Sequence, residues 1–357
     1  MKSIINSYKN LSQSVKATIW FFVCSFLQKG ISTLTTPIFT RLMTTAEFGQ
    51  YNVFNSWLSI ITIFVTLRLY HGSYTQGLVK YDDQRTRYAS SMQGLTLTLC
   101  VIWSMIYCIF KSFWNALFGL STTQMLAMLL MIWATAVFNF WAAEQRVLLN
   151  YVKLVVLTII VSIAKPVLSI ILISLSDDAV TARILGLTIA EIAGYSGLFV
   201  VQMKRGKCFF DKFFWKRAIV LNAPLILHYL SMVVLSSSDR LMISEFVSDE
   251  KAGIYSLAYQ ISLVMSIFGD TLTQTLTPWI YQKIKIGKAS EISNVCYMTL
   301  LMDAAVNMAL ILIAPGVVRF FAPPAYYEAI WVIPPIALSV FFMYCYNVFA
   351  KFEFYYG

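Results

Sequence analysis

The chain is poor in charge, in histidine and in paired cysteine, and each shortage excludes a class of protein. Charged residues make up 12% of its 357 residues, about half of the roughly 25% that is usual in soluble domains. Two histidines do not suffice for a multi-histidine metal site, and six scattered cysteines contain no Cys-x-x-Cys pair. We therefore expect neither a metal centre nor a disulfide framework.

Sequence signatures of catalysis are missing as well. The chain has no Gly-x-x-x-x-Gly-Lys-Ser/Thr phosphate loop, no His-Glu-x-x-His and no Gly-x-Ser-x-Gly. The predicted outer loops are too short to hold an external catalytic domain. We expect a protein that is not an enzyme and needs no cofactor, with a proton or a sodium ion as the candidate coupling ion.

What the chain has in abundance is long apolar runs. Hydrophobic residues make up 59% of it, and its mean hydropathy is +0.70. A membrane-spanning helix needs about 20 mostly apolar residues, and runs this long and continuous are typical of helices rather than barrel strands. The sequence predicts an all-α integral membrane protein with ten spans. Their ranges are 17–39, 50–70, 88–110, 122–143, 154–175, 182–202, 218–238, 253–276, 293–315 and 326–349.

The distribution of lysine and arginine predicts the orientation of these spans. With the N-terminus inside, 19 of the 27 basic residues fall in inner segments and 6 in outer loops, while Lys29 and Lys165 lie within spans. Inner loops of membrane proteins are enriched in basic residues, so both ends of the chain are expected in the cytoplasm. The same asymmetry accounts for the net charge of +10, and we expect no nucleic acid as a partner.

A repeated segment divides the chain into two halves. Three short strings recur in the same order about 200 residues later, each time after the first apolar run of a half. The pairs are Arg41-Leu42-Met43 with Arg240-Leu241-Met242, Glu47-Phe48 with Glu245-Phe246, and Gly49-Gln50-Tyr51 with Gly253-Ile254-Tyr255.

The repeat predicts two helical bundles joined by a linker. We expect a six-helix bundle in 1–203, a basic aromatic linker in 204–217 and a second bundle in 218–357. The linker interleaves phenylalanine with lysine, which fits an amphipathic segment on the inner leaflet or an ordinary cytoplasmic loop. Because the second half shows four spans where the first has six, it is expected to be truncated, with two further helices beyond Gly357.

Polar stripes on four predicted spans indicate where a ligand could lie. Stripes on repeat-related helices favour a hydrated cleft, and hydrogen bonding between helices by serine and threonine is the alternative. The stripes are Lys29, Ser32, Thr33 and Thr36 in the first span; Asn52, Asn55, Ser59, Thr62 and Thr66 in the second; His228, Ser231, Leu235 and Asp239 in the seventh; and Tyr259, Ser262, Ser266, Asp270, Thr273 and Thr277 in the eighth.

Ionisable residues in and beside the spans are the candidate functional residues. A charge inside a membrane is costly, so it faces protein or a water-filled cavity. A lysine or arginine there suits an anionic ligand such as phosphate, and a carboxylate can carry a coupled cation. The candidates for substrate binding are Lys29, Arg68, Lys165, His228 and Arg240, and those for ion coupling are Glu191, Asp270 and Asp303.

Each candidate also has a structural alternative. Lys29 has no acidic neighbour one turn away, so its alternative partner is a carboxylate on another helix. A salt bridge to Lys29 or Lys165 is the alternative for the three carboxylates. Lys165 precedes Pro166, and a proline-broken helix can solvate a lysine through freed carbonyls. Arg68 could extend to the interface, and Arg240 could form a cap with Asp239.

The strings around the repeat resemble those of a known family. Pro-Ile-Phe-Thr-Arg-Leu-Met and Phe-Gly-Gln-Tyr follow the first span, and Ser-Ser-Ser-Asp-Arg-Leu-Met-Ile and Gly-Ile-Tyr-Ser-Leu-Ala-Tyr follow the seventh. Together with the later Thr277-Pro278-Trp279, they resemble the polysaccharide-transporter branch of the MOP exporter superfamily. This branch holds the Wzx-type flippases for O-antigen and capsule repeat units.

The resemblance implies a MOP- or MATE-like fold of two six-helix bundles and a function in the bacterial inner membrane. Such a protein moves an undecaprenyl-diphosphate-linked oligosaccharide from the inner to the outer leaflet of the lipid bilayer. A polysaccharide polymerase and a chain-length regulator are the implied protein partners. Lys29 and Arg68 are where this chain could meet the diphosphate. A MATE-like drug or cation exporter and a membrane-integral polysaccharide polymerase or ligase are the alternatives.

Overall fold

The computed structural model describes residues 12–71, 73–286 and 289–356. In these ranges the regular structure is helical, with thirteen α-helices and two short 3-10 turns. Lys2, Lys9 and Lys288 of the charge count, and both ends of the chain, lie outside the described residues. The helices are α1 (Gln13–Leu42), α2 (Thr45–Thr66), α3 (Ser73–Lys80), α4 (Arg85–Ile109), α5 (Lys111–Phe118), α6 (Thr122–Val147), α7 (Tyr151–Ser174), α8 (Ala179–Gly206), α9 (Lys212–Asn222), α10 (Leu225–Phe246), α11 (Asp249–Lys285), α12 (Ala289–Phe321) and α13 (Ala329–Tyr356).

The helices confirm the prediction of an all-α membrane protein but not the number of ten spans. Eight helices in the described part of the chain are long and apolar enough to cross a membrane, and there are nine if the bent pair α9 and α10 is one span. The remaining predicted span, 50–70, corresponds to α2. Its polar stripe lowers its mean hydropathy, and the helix ends at Thr66, before Arg68.

The seventh predicted span is broken rather than continuous. Helices α9 and α10 meet at an angle of 49°, at Ala223 and Pro224 between the two helices. Proline lacks the backbone N–H needed to continue a helix and clashes with the preceding turn. The helix therefore bends there, and α9 is free to pack apart from α10.

Contacts between Cα atoms divide the chain into two compact units. Unit 1 contains 1–35 and 50–246, and unit 2 contains 36–49 and 247–357. The boundaries fall inside α1 and inside α2, so these units are not the bundles predicted from the repeat. The bundles in 1–203 and 218–357 stay a prediction.

A cluster of buried aromatic and aliphatic side chains forms a core of unit 1. It joins the turn after α2 with α3, α4, α6 and α9. Burial of such large side chains stabilises a fold by about 1.5–3 kcal/mol each. Its members include Leu69, Tyr74, Leu78, Tyr88, Met92, Leu95, Phe140 and Phe214.

Helix α9, Lys212–Asn222, begins inside the predicted linker of 204–217, extends into the predicted seventh span and packs on this core. Its N-cap Asp211 accepts hydrogen bonds from the backbone of Phe213 and Phe214, Phe214 is buried, and the indole of Trp215 donates to the carbonyl of Ser91 at 2.9 Å. Phe213 remains exposed. The part of the predicted linker from Lys212 onward is therefore helical and packs on the core of unit 1.

In unit 2 the two copies of the repeat contact each other reciprocally. A Cβ atom on Gly49 would lie 1.8 Å from the carbonyl oxygen of Asp249, and one on Gly253 would lie 2.2 Å from that of Thr45. Helix α2 begins at Thr45 and α11 begins at Asp249. The absence of a Cβ atom therefore lets the backbone of each glycine contact the first residue of the repeat-related helix, and any other amino acid at this position would collide with it.

The helix caps fix the register of the two copies. Thr44 and Glu47 form a capping box, in which the Thr44 N–H donates to Glu47 and the Glu47 N–H to Thr44. Ser248 caps α11 by accepting from the backbone of Lys251. If Thr44 is aligned with Ser248, the third residue after the cap is Glu47 in one copy and Lys251 in the other. Glu245 does not correspond to Glu47, because it still belongs to α10, which ends at Phe246.

Candidate functional site

The turn after α2 presents Arg68 and His71 from a well-anchored backbone. Leu69 within the turn and Tyr74 just after it are buried. Backbone hydrogen bonds close the turn, from Leu69 to the carbonyl of Thr66 and from His71 to that of Arg68. The buried residues hold the turn on the core of unit 1, while Arg68 is partly exposed and His71 is exposed.

The backbone of this turn is strained. Leu67 and Arg68 have φ values of 48° and 44°, the left-handed region that favours glycine. A non-glycine residue held in such a conformation costs on the order of 1–3 kcal/mol, and strain of this kind clusters at functional sites. Because two consecutive residues hold this conformation, the turn is a candidate functional site, and Arg68 is its charged side chain.

Arg68, His71 and two residues of α10 come together around one aromatic ring. The guanidinium carbon of Arg68 lies 5.6 Å from the centroid of the Tyr229 ring, and an Arg68 nitrogen is 3.5 Å from Nε2 of His71. The rings of His71 and His228 lie 5.8 and 5.7 Å from that of Tyr229. We call these four residues the Tyr229 cluster. It joins two predicted candidates, Arg68 and His228, with two residues that were not predicted.

The Tyr229 cluster is an electropositive site. Arg68 forms no ion pair among the described residues, and its buried Nε has no hydrogen-bond partner there. Desolvation, and after it the charge of Arg68, lower the pKa of His71 below its usual range. An arginine with free donors beside imidazole rings can bind an anion, and an anion there would favour the charged form of His71.

Lys29 has no ion-pair partner among the described residues. It is exposed on α1. A Cβ atom on the adjacent Gly30 would meet no atom within 4 Å, so this side of α1 is open. Its alternative role, an ion pair with a carboxylate of another helix, is not present among the described residues.

Lys165 and Glu191 have paired with each other. The Nζ atom of Lys165 lies 2.6 Å from Oε1 of Glu191, and the hydroxyl of Thr135 donates to Oε2 at 2.8 Å. Glu191 is buried, and both of its oxygens are engaged. This arrangement is the structural alternative expected for the two residues, and it leaves Glu191 without a free oxygen for a coupled cation.

The two other carboxylates differ in burial. Asp303 is completely buried, and its Oδ2 accepts from the amide of Asn307 at 3.1 Å. Its Oδ1 and the Oδ1 of Asn307 have no partner in the described structure. Asp270 is exposed and forms no ion pair with a described residue. A buried carboxylate with an unsatisfied oxygen is the better candidate for a bound proton or cation.

Arg240 lies apart from the Tyr229 cluster and donates to the carbonyl of Ser236 at 3.1 Å. Its counterpart in the repeat, Arg41, donates in the same way to the carbonyl of Pro37 at 2.8 Å. Both arginines thus bond to the backbone one turn earlier in their own helix.

The polar stripe of α2 is satisfied largely by its own helix. The side chains of Asn55, Ser59, Thr62 and Thr66 each donate to the carbonyl four residues earlier. Such bonds differ from the hydrogen bonds between helices that the alternative interpretation expected. They keep the hydroxyl donors of this helix from requiring partners elsewhere.

A buried polar network at the ends of α4, α6 and α8 was not predicted. Gln202 donates to Glu144 at 2.8 Å and accepts from Gln93 at 2.6 Å. Arg205 donates to the other oxygen of Glu144 at 2.9 Å. The sequence placed Glu144 just outside the fourth span, and polar residues on three distant helices give no signal of their proximity.

Arg183, which the charge count assigns to an outer loop, is a further buried polar residue that the sequence analysis does not predict. It lies near the start of α8, is buried, and its guanidinium carbon lies 3.5 Å from the centroid of the Tyr51 ring. Tyr51 belongs to the repeated segment, whose recurrence is the signal that could have pointed to this contact.

Comparison with solved structures assigns the fold. The chain superimposes on an inward-facing multidrug resistance MATE family transporter of the MOP superfamily with a TM-score of 0.61 and 14% identity, over 90% of this chain and 81% of that one. Superposition on a MATE transporter of Vibrio cholerae gives a TM-score of 0.51 and 12% identity, over 96% of this chain and 86% of that one. The protein is thus a multi-pass membrane protein with the MATE-like fold of MOP transporters.

The family follows from the sequence match. A model of the polysaccharide biosynthesis protein family matches residues 14–283, and the chain belongs to this family. The chain thus combines the fold of MOP transporters with membership of the polysaccharide biosynthesis family. The Lsg locus putative protein 1 of Haemophilus influenzae is 35% identical over 65 residues, which are 18% of this chain and 16% of that protein. The chain therefore matches only a small part of this relative's length.

Proposed function

We propose that the protein is a flippase that moves an undecaprenyl-diphosphate-linked oligosaccharide from the inner to the outer leaflet of the bacterial inner membrane. The repeat unit would belong to an O-antigen, a capsule or an exopolysaccharide. Alternating access would expose the site first to one side of the membrane and then to the other. Membership of the polysaccharide biosynthesis family and the MATE-like fold support this proposal.

The observation that carries the proposal is the Tyr229 cluster. A lipid diphosphate offers several anionic oxygens, and arginine binds such oxygens through a planar fork of donors. Arg68 has an unpartnered buried Nε, and His71 and His228 add imidazole donors. Lys29, which is unpaired in the described structure, would supply a second cation to the diphosphate.

Coupling to a proton or sodium gradient is assigned to Asp303 in this proposal. Its buried carboxylate with an unpartnered oxygen favours uptake of a cation. Glu191 is engaged by Lys165 and Thr135, so its role would be structural. No further cofactor is proposed. Both ends of the chain would lie in the cytoplasm, and a polysaccharide polymerase and a chain-length regulator would be the protein partners.

Export of surface polysaccharide by a flippase-null strain tests the proposal. We expect Arg68→Gln and Lys29→Ala to stop export and to cause accumulation of the lipid-linked unit, because each removes a cation from the diphosphate. Lys29→Arg should retain partial export, since the charge persists while its shape changes. Membrane levels of each variant would be measured alongside.

Lys212→Gln is the matched control, since it removes one exposed charge from α9 outside the Tyr229 cluster. It should export as the unchanged protein does. Normal export by Arg68→Gln or Lys29→Ala at normal membrane levels would show that the residue does not bind the diphosphate.

A further inference from the structure

A cleft separate from the Tyr229 cluster lies between α3 and α9 in unit 1. Each helix contributes residues spaced at i, i+3, i+4 and i+7, so one face of each forms a wall. The cleft has a cavity volume of about 50 Å³, and about 400 Å³ when the open solvent at its mouth is included. Ser73 and Asn222 exchange hydrogen bonds of 3.1 and 2.8 Å and join the two helices at one end.

Two cations line the cleft, and neither has an acidic partner. Lys80 projects from α3 and Arg217 from α9, and no described carboxylate forms an ion pair with either. The acidic residues nearest to them in sequence are occupied, since Asp82 pairs with Arg85 and Asp211 with Arg87 at 2.9 Å. The cleft therefore carries two cations that form no ion pair with a described carboxylate.

Aromatic side chains line the cleft, and one of them carries a hydroxyl group without a hydrogen-bond partner among the described residues. Tyr81 lines it, and its buried hydroxyl has no hydrogen-bond partner among the described residues. The guanidinium of Arg217 lies 5.9 Å from the centroid of the Tyr81 ring. Tyr88 and Phe214 are buried beside it. Two cations and a free hydroxyl are the donors that a phosphate group requires.

The surroundings of the cleft favour a lipid over a soluble anion. Leu221 lines its edge, and it is 45% exposed, while the neighbouring Phe213 and Val220 are each 60% exposed. Exposed apolar side chains interleaved with lysines are typical of a segment at the surface of an anionic membrane. A headgroup phosphate in the cleft would place its acyl chains beside this apolar edge.

We propose that the cleft between α3 and α9 binds the phosphate group of an anionic phospholipid, held by Lys80, Arg217 and the hydroxyl of Tyr81. The site does not involve Arg68 or Lys29, and it does not depend on the proposed transport function. Lipid binding there would hold α9 against the bundle at the point where the chain bends into α10.

Native mass spectrometry of the full chain in detergent tests this proposal, with phosphatidylglycerol and the uncharged control phosphatidylcholine as probes. We expect the double variant Lys80→Gln/Arg217→Gln to lose about a hundredfold in affinity for phosphatidylglycerol, since each of the two charge-assisted hydrogen bonds accounts for about tenfold. Lys212→Gln/Lys216→Gln removes the same charge from the exposed face of α9 and should bind as the unchanged protein does.

Each other outcome would overturn the proposal. Equal losses in the two double variants would indicate a diffuse basic surface rather than the cleft. Unchanged binding in the cleft variant, or equal binding of phosphatidylcholine, would exclude an anionic headgroup there. Inorganic pyrophosphate that displaces phosphatidylglycerol at equal concentration would indicate a site for a soluble anion. Tyr81→Phe should fold normally and weaken binding less than the charge variants.

Discussion

Lys165 and Glu191 form an ion pair between α7 and α8, with 2.6 Å between Nζ and Oε1. Thr135 of α6 occupies the remaining oxygen of Glu191, so three helices of unit 1 meet at one carboxylate. The ion pair gives a structural explanation for two charged residues that lie inside predicted spans. Of the predicted candidates, Lys29, Arg68, His228 and Asp303 are those that the proposed function assigns to ligands.

The first prediction concerns the stability of this pair. Removal of one partner leaves an uncompensated charge away from water, which costs about 3–5 kcal/mol. We therefore expect Lys165→Met alone to lower the unfolding temperature in detergent markedly. The double variant Lys165→Met/Glu191→Leu should recover most of the loss, because no charge remains to be paired.

Thermal unfolding of the two single variants and the double variant forms a double-mutant cycle that measures the coupling directly. Additive losses in the double variant would show that the two charges do not stabilise each other. Equal export by Lys165→Met and the unchanged protein, at matched membrane levels, is also expected, because Lys165 lies outside the proposed binding site.

Much of the fold could be predicted from the sequence because membrane-spanning helices are recognisable as long, continuous runs of apolar residues. The runs that became α6, α7 and α8 were found almost at their observed limits. Helix α2 was predicted despite its polar stripe, although hydropathy alone does not identify it. The end of α2 at Thr66 was missed, because the strained turn at Leu67 and Arg68 contains no glycine or proline to indicate it.

The candidate site was predictable only in part, for a physical reason. Arg68 and His228 stand out because ionisable residues in or near membrane spans are rare. Their meeting at Tyr229 depends on packing between helices, and tyrosine at that position carries no distinguishing signal. The same holds for Gln93, Gln202 and Glu144. In the sequence they are ordinary polar residues near helix ends, and only the packing of the helices places them together.

The second prediction concerns the glycine contact in unit 2. Gly49→Ala would place a Cβ atom 1.8 Å from the carbonyl oxygen of Asp249, so α2 and α11 must move apart. Overpacking of this kind costs about 1–3 kcal/mol. We expect faster hydrogen exchange at the start of α11 and a lower unfolding temperature, and the same result for Gly253→Ala.

Gly316→Ala is the control for this contact. No atom lies within 4 Å of a Cβ at Gly316, and alanine favours a helix over glycine by about 1 kcal/mol. The variant should be as stable as the unchanged protein or slightly more so. If Gly49→Ala behaved like Gly316→Ala, the close approach of the two repeat copies would be refuted.

The third prediction concerns the titration of His71. Its pKa is lowered, first by desolvation and second by the charge of Arg68. Arg68→Gln should therefore raise the pKa of His71, but not fully to the usual value of about 6.5, because desolvation remains. Histidine-labelled NMR can follow this, since the chain has two histidines and His228→Gln identifies the remaining signal.

The direction of the pH effect follows from the lowered pKa. The folded protein favours the neutral ring, so the stability due to His71 is fully present above its ordinary pKa and is lost as pH falls through the folded value. An anion bound beside Arg68 should reverse the shift and raise the pKa of His71. A pKa that stays the same with saturating pyrophosphate would show that the cluster does not bind phosphate.

The last prediction separates Asp303 from Asp270 as the coupling residue. Asp303 is completely buried with one unpartnered oxygen, whereas Asp270 is exposed. Asp303→Asn keeps the shape and retains an oxygen that can accept from the amide of Asn307, so the variant should fold with a nearly unchanged unfolding temperature. It cannot take up a proton or compensate a sodium ion, and export should no longer respond to an imposed gradient. Asp270→Asn should retain that response. A gradient response that persists in Asp303→Asn and disappears in Asp270→Asn would assign the coupling to the exposed carboxylate.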